Sequence, residues 1–271
     1  MSYEFATIYW RDMLRFVRFR IALVASLIQP ALWMALYGAA MSSNFSRLST
    51  GMTVPDGGVA VSYLTFMGAG VIALTTLFTS LFGGITLLFD KNWGLMRELL
   101  ASPMPRNHII IGIGLSGVTK SFIQSMVIMA FGLVIGVRFF PGYSLLQTAG
   151  AVFGILLFVG IFSLGFLFLS SAISMTMETP EGLQAVITLL TLPLFFASNA
   201  LYPIDAFPGF VRIISQFNPL THLVNGVRYF AIGSDFYAIG IHYVYGMNDV
   251  LISLLALVIF ALAMFLVAWR V

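Results

Sequence analysis

Three histidines, His108, His222 and His242, stand far apart and lack the spacing by which imidazoles share a metal ion. No serine sits in a G-x-S-x-G setting and no pair of acids lies inside an apolar run, so acyl transfer and intramembrane aspartyl chemistry both lack their residues. Cysteine is absent, which removes thiol nucleophiles, thiolate metal sites and disulfides. Gly112 and Gly117 have the spacing of a phosphate-binding loop, but Val118 stands where the lysine belongs and the segment is apolar. The chain is therefore expected not to be an enzyme and to hold no nucleotide, metal or other cofactor of its own.

Two polar stretches offer recognition rather than catalysis. In the first, Asp90 to Pro103, Asp90 is placed to cap a short helix that Pro103 and Pro105 end. Leu95, Met96, Leu99 and Leu100 can line one side of it, with Lys91, Arg97 and Glu98 elsewhere. Such a helix either rests on lipid headgroups or docks in a partner's groove. In the second, Thr179-Pro180-Glu181 starts a helix: threonine caps, proline takes the first helical position, and the glutamate meets the positive end of the dipole. With Glu178 it also presents acidic groups to a possible partner.

The elements that must position these stretches are dictated by composition. Apolar residues make up 60% of the chain and charged ones 8%, at a mean hydropathy of +1.00. A soluble domain carries about a quarter charged residues, so most of this surface must meet lipid. The apolar runs are far longer than the ten-residue alternations of a barrel, which predicts an all-α polytopic membrane protein. Six spans are expected, near 21–41, 59–89, 109–137, 148–176, 182–199 and 250–269, within one transmembrane domain of residues 1–271. With the N-terminus inside, the inner segments hold Arg11, Arg15, Arg18, Arg20, Lys91, Arg97, Arg106 and Arg270. The outer ones hold only Arg47, Arg138, Arg212 and Arg228, so both termini are expected to be cytoplasmic. The net charge of +3 comes with no dense basic patch and gives no sign of a nucleic-acid partner.

Three further segments stand out. Over 3–19, Phe5, Tyr9, Trp10, Met13, Phe16 and Val17 share one helical face and Arg11, Arg15 and Arg18 lie opposite. That pattern predicts an interfacial helix with its arginines toward anionic headgroups, and its charged region is too long for a cleaved leader. Nearly thirty residues separate His108 from Arg138, with Lys120 among them. A helix that starts below the membrane lets Lys120 snorkel, which is favoured; one that starts at the interface leaves it needing a partner or facing substrate. Over 200–248, prolines divide a strongly apolar stretch into pieces too short to span, which predicts short re-entrant helices in the outer leaflet. Arg228 then bonds to carbonyls, to phosphate or to Asp235.

Two of these segments together carry a family resemblance. Phe89-Asp90-Lys91-Asn92-Trp93-Gly94 through Leu99-Leu100-Ala101-Ser102-Pro103 resembles the cytoplasmic loop of ABC-2-type transporter permeases. Asn199 and Pro203, then Pro208, Asn218, Pro219 and Arg228, resemble that family's C-terminal signature, in particular its daunorubicin-resistance, drug-export branch. The resemblance implies an exporter of two permease chains, a homodimer or heterodimer in the cell (inner) membrane. Two separate ATPase subunits would carry the ATP and magnesium. It makes residues 90–105 the coupling loop, with Asp90, Lys91, Trp93, Gly94, Leu95, Met96, Arg97, Glu98, Leu99 and Leu100 as contact residues. Glu178 and Glu181 form a second contact, and the N-terminal helix a further one. Relatives often carry glutamate where this chain has Asn92.

The expected function is export of an amphipathic or hydrophobic substrate, since most spans lack charged residues. Polysaccharide or glycolipid export and ion-coupled secondary transport are the alternatives. The last of these is disfavoured by the missing intramembrane acids and inverted repeats.

Overall fold

The computed structural model describes residues 4–49, 59–101, 105–204 and 207–270; Pro103 and residues 50–56 of the polar stretch that ends at Asp56 lie outside them. The chain forms α1 (Glu4–Arg18), then α2 (Arg20–Leu32), which continues through a π-helical segment, Trp33–Gly38, into α3 (Ala39–Ser49). Pro30 inside α2 removes an N–H from the ladder and crowds the preceding turn, and the π segment begins three residues later. Next come α4 (Tyr63–Asn92), α5 (Leu95–Ala101), α6 (Arg106–Val134), α7 (Leu145–Thr176), α8 (Pro180–Phe196), α9 (Gly209–Phe217) and α10 (Pro219–Ala231). A hairpin of β1 (Asp235–Ala238) and β2 (Ile241–Val244) precedes α11 (Met247–Arg270).

Among the described residues, five helical stretches are long and apolar enough to cross a membrane: 23–44, 63–92, 108–134, 145–176 and 247–270. The expected fifth span, 182–199, is instead the 17-residue α8, about 26 Å long against a hydrocarbon core of about 30 Å. Helix starts follow local chemistry. Ser62 accepts from Thr65 N at 3.2 Å, and Ser144 with Gln147 forms a capping box.

The core lies between α4 and α7. Phe66, Leu77 and Leu81 of α4 and Phe158, Phe162 and Phe166 of α7 are all at or near zero exposure. Two-thirds of the α4 apolar window is buried, against 17% for the first and last spans. The central helices are thus specified by packing and the peripheral ones by apolar surface alone.

The hairpin departs from an all-α chain. Ile239 (φ 55°) and Gly240 (φ 76°) form the two-residue positive-φ turn that such connections favour, and Asp235 pairs with Val244 through Ala238 with Ile241. Residues 59–61 run beside β1, with Tyr237 N donating to Val59 O at 2.9 Å and Val61 N to Tyr237 O at 2.8 Å.

The position of α1 also differs from expectation. It runs alongside the first turns of α6 in the same direction: Phe5 meets His108, Ile8 meets Gly112, Asp12 meets Ser116, and Phe16 meets Lys120. Ile8 is 2% exposed while Trp10 and Val17 are outside. The stripe against α6 is therefore Phe5, Ile8, Asp12 and Phe16, spaced at three and four residues, with Ile8 and Asp12 buried and the two phenylalanines half-buried. It is offset from the apolar face read from the sequence.

Candidate functional site

The loop after α4 is built from three consecutive side chains that fasten three different elements. Asp90 is not the cap of α5. It lies in the last turn of α4, almost fully buried, where Arg11 Nη2 donates to Oδ2 at 2.6 Å and Arg15 Nη2 to Oδ1 at 3.0 Å. Lys91 Nζ donates to the carbonyls of Met175 (2.6 Å) and Met177 (3.0 Å), capping the end of α7 with a positive charge. Asn92 Nδ2 donates to Glu178 O at 3.0 Å, just before α8. A glutamate at 92 would when ionised have no proton to give that carbonyl.

Beyond them the chain turns outward. Trp93 is 72% exposed and stacks on Phe89 with centroids 5.1 Å apart. Gly94 takes φ +81°, a conformation that side chains resist, and its carbonyl accepts from Arg97 N to open α5. On α5, Met96 is buried, Leu95 and Leu99 are half-buried, and Arg97 and Glu98 are exposed; the side chain of Leu100 lies outside the described residues. The predicted apolar side thus packs inward. Glu178 and Glu181 are exposed at the α7–α8 turn, where Thr179 caps as expected, accepting from Gly182 N at 3.2 Å.

The α1 arginines do not point away into solvent as a set. Arg11 and Arg15 are taken by Asp90, and Arg18 remains exposed. On the adjoining edge Asp12, 6% exposed, accepts from Lys120 Nζ at 2.6 Å and from the Ser116 hydroxyl. Lys120 therefore has a fixed partner, and the Phe16 ring lies 5.8 Å from its ammonium. Further along α6, Gln124 Nε2 donates to Ser26 of α2 at 2.8 Å while its carbonyl oxygen accepts from Thr79 of α4. Sequence reasoning missed Asp12 and Gln124. A lysine within an apolar run and an acid between two arginines of a basic helix were the available signal for the first.

At the opposite, hairpin end the signature residues hold backbone together. Arg228, fully buried in α10, donates from Nη2 to Asn199 O at 2.7 Å and to Ala200 O at 3.3 Å, with its guanidinium 3.5 Å over the Phe66 ring. Asp235 pairs with His242 at 2.7 Å instead. Asn218 caps α10, with Pro219 at its first position, and also donates to Leu194 O at 2.7 Å, which ties α10 to α8. Pro203 is buried and Pro208 exposed just before α9. Phe210, Ile213, Ile214 and Phe217 of α9 face outward.

A cleft runs between α2, α4 and α8. The part between the three helices, about 290 Å3, is lined by residues such as Phe78, Gln184, Thr188 and Phe195; it adjoins an open depression of about 500 Å3 lined by α2 and the π segment alone, at residues such as Ile28, Leu36 and Tyr37. Gln29 and Trp33 border both, and no charged side chain lines either. Lys120 borders neither part. Among the described residues no three His, Cys, Asp or Glu gather into a metal site.

The model of the ABC-2 type transporter family matches residues 3–232. The chain is 33% identical over 210 residues to the putative transport permease ycf38 of Cyanophora paradoxa, covering 77% of this chain and 67% of that protein. It is 22% identical over 219 residues to the daunorubicin resistance ABC transporter permease protein DrrB1 of Streptomyces coeruleorubidus, covering 81% and 71%. It is 23% identical over 273 residues to the inner membrane transport permease YadH of Escherichia coli (strain K12), covering 97% and 92%. The chain belongs to the ABC-2 type transporter family: it is a multi-pass membrane permease subunit of an ABC transporter, of the kind that works with an ABC ATPase subunit.

Proposed function

We propose that this permease exports an amphipathic or hydrophobic compound, drug-like or lipid-like, from the cytoplasm, powered by a separate ATPase subunit that binds ATP and magnesium and grips α5. The observation that carries this reading is the fastening of Asp90, Lys91 and Asn92 to α1, to the end of α7 and to the turn before α8. A displacement of α5 cannot stay local. It must move α1 and the base of α8 with it, and α8 is one wall of the cleft. Bends are available in both outer walls, at Pro30 and the π segment of α2 and at Pro193 within α8. Glu178 and Glu181, exposed beside α5, form the second contact of the ATPase.

The cleft supports the substrate class. Aromatic rings with glutamine and threonine groups between them, and no charge, suit a cargo that is largely apolar with a few polar groups. The daunorubicin-resistance permease among the relatives agrees with a drug-like cargo. The cleft is lined at one side by the sparsely buried α2, which supports pairing with a second permease copy that completes the pathway.

In this reading the chain crosses the cytoplasmic membrane six times, α8 being the short crossing, with both termini cytoplasmic. Trp269 and Arg270 share a cavity with Met96 and Ile109, so α11 ends at the α5 end of the bundle, where α1 also lies. That arrangement supports an even number of crossings. The lower turns of α6, with α1 beside them, extend past the hydrocarbon core toward the ATPase. Replacing Gly94 by proline tests the coupling: φ +81° is closed to proline. In reconstituted complex Gly94→Pro should keep ATPase binding and lose substrate-stimulated hydrolysis. Unchanged stimulation with intact assembly sinks the proposal.

A further inference from the structure

The α5 loop hangs on two stems, α4 and α6, and α1 touches both with opposite charges, at Asp90 in the last turn of α4 and at Lys120 midway along α6. Arg11 and Arg15, one turn apart, close on Asp90 of the α4 stem at 2.6 and 3.0 Å. Asp12, the residue next to Arg11, closes on Lys120 of α6 at 2.6 Å and takes the Ser116 hydroxyl as well. The Asp12 and Lys120 side chains are only 9% and 14% exposed. Small residues let α1 come this close: a methyl on Gly112 would lie 2.9 Å from the Phe5 carbonyl oxygen. Tyr9 adds a hydrogen bond to Thr119 at 3.4 Å.

We propose that α1 is a brace across the two stems of the α5 loop, with Asp12 its positioning residue on α6 and Arg11 and Arg15 its positioning residues on α4. The inference rests on the reading of α5 as the element the ATPase moves. Without the brace, a push on α5 spreads α4 from α6 and is spent in the loop. With it, the stems move as one body and the displacement reaches α8 through Lys91 and Asn92. Neutralising a buried lysine would need only a carboxylate. The geometry adds adjacent, oppositely charged residues aimed at two different helices, which is what a spacer between those helices requires.

The test separates bracing from charge neutralisation. In Asp12→Asn with Lys120→Met both charges are gone and no buried ion is left unpaired. Neutralisation alone predicts wild-type transport from that pair. The brace predicts that it inserts, binds the ATPase and hydrolyses ATP, while substrate moved per ATP falls on the order of tenfold. The chain has no cysteine, so Asp12→Cys with Ser116→Cys and Lys120→Met introduces a single, switchable link between side chains that touch in the structure. Oxidised, this variant should regain transport per ATP; reduced, it should resemble the neutral pair. Wild-type transport by the neutral pair, or no gain on oxidation with the disulfide formed, overturns the brace. Gly94→Pro measured alongside keeps the two ideas apart. If it uncouples while the neutral pair does not, the brace alone fails. If it leaves coupling intact, the α5 reading fails and the brace with it.

Discussion

Replacing Asp90 by asparagine keeps the shape of the side chain, removes its charge, and turns one acceptor into an amide donor that faces a guanidinium. Each carboxylate oxygen in the structure receives one charged donor, from Arg11 and from Arg15. Hydrogen bonds to charged groups contribute roughly 1.5–3 kcal/mol apiece where buried. Asp90 is 3% exposed but the arginine side chains are 30% and 33% exposed, so water screens the pair and the lower end applies. The expected loss is about 3 kcal/mol in total for both bonds. A double-mutant cycle isolates one of them. Asp90→Asn, Arg11→Gln and the double variant are unfolded reversibly in mixed micelles, and the coupling energy should be about 1–2 kcal/mol. Additivity to within about 0.5 kcal/mol would mean that the contact contributes nothing and that α1 is held to α4 by other means. Arg15→Gln should couple to Asp90→Asn by a similar amount.

The same geometry makes Asn92, Gly112 and Arg228 further points of test. Asn92→Gln should weaken ATP-driven transport less than Asn92→Asp, which cannot donate to Glu178 O when ionised; equal effects would remove that hydrogen bond from the account. Gly112→Leu should lift α1 from α6 and expose it to limited proteolysis, while Gly150→Leu, at a position with open space around it, should not. Arg228→Ala should cost roughly 3 kcal/mol through the lost carbonyl bonds and the cavity left over Phe66. It would be seen as a fall in melting temperature in nanodiscs. Arg228→Lys should recover less than half, because a compact ammonium lacks the planar face that lies over the Phe66 ring while Nη2 reaches the two carbonyls.

The long helices were legible in the sequence because an apolar run has few other ways to satisfy its backbone in lipid. The α7 run is one example and the Thr179-Pro180-Glu181 start another, the latter with its cap at the expected Thr179. Asp90 was read as a helix cap because an acid before a short amphipathic segment usually is one. Its true partners lie 75 and 79 residues away, on a helix whose docking depends on small residues in α6. The same distance problem hid Asp12, whose contact with Lys120 spans 108 positions. The hairpin was missed because Phe236 to Val244 is as apolar as its helical neighbours. Its turn signal, Ile239-Gly240, lacks the usual asparagine or aspartate. For Arg228 the carbonyl partners were among the expected ones, and the fold chose them over Asp235 by burying the guanidinium against Phe66.

The central claim is that the ATPase holds this chain at α5. A photo-reactive residue in place of Trp93, 72% exposed just before α5, tests it directly in the assembled complex. Leu251, exposed on α11, serves as the control position. The account predicts a crosslink to the ATPase subunit from 93 that strengthens with ATP, and none from 251. An intact complex that gives no ATPase crosslink from position 93 in any nucleotide state would contradict it.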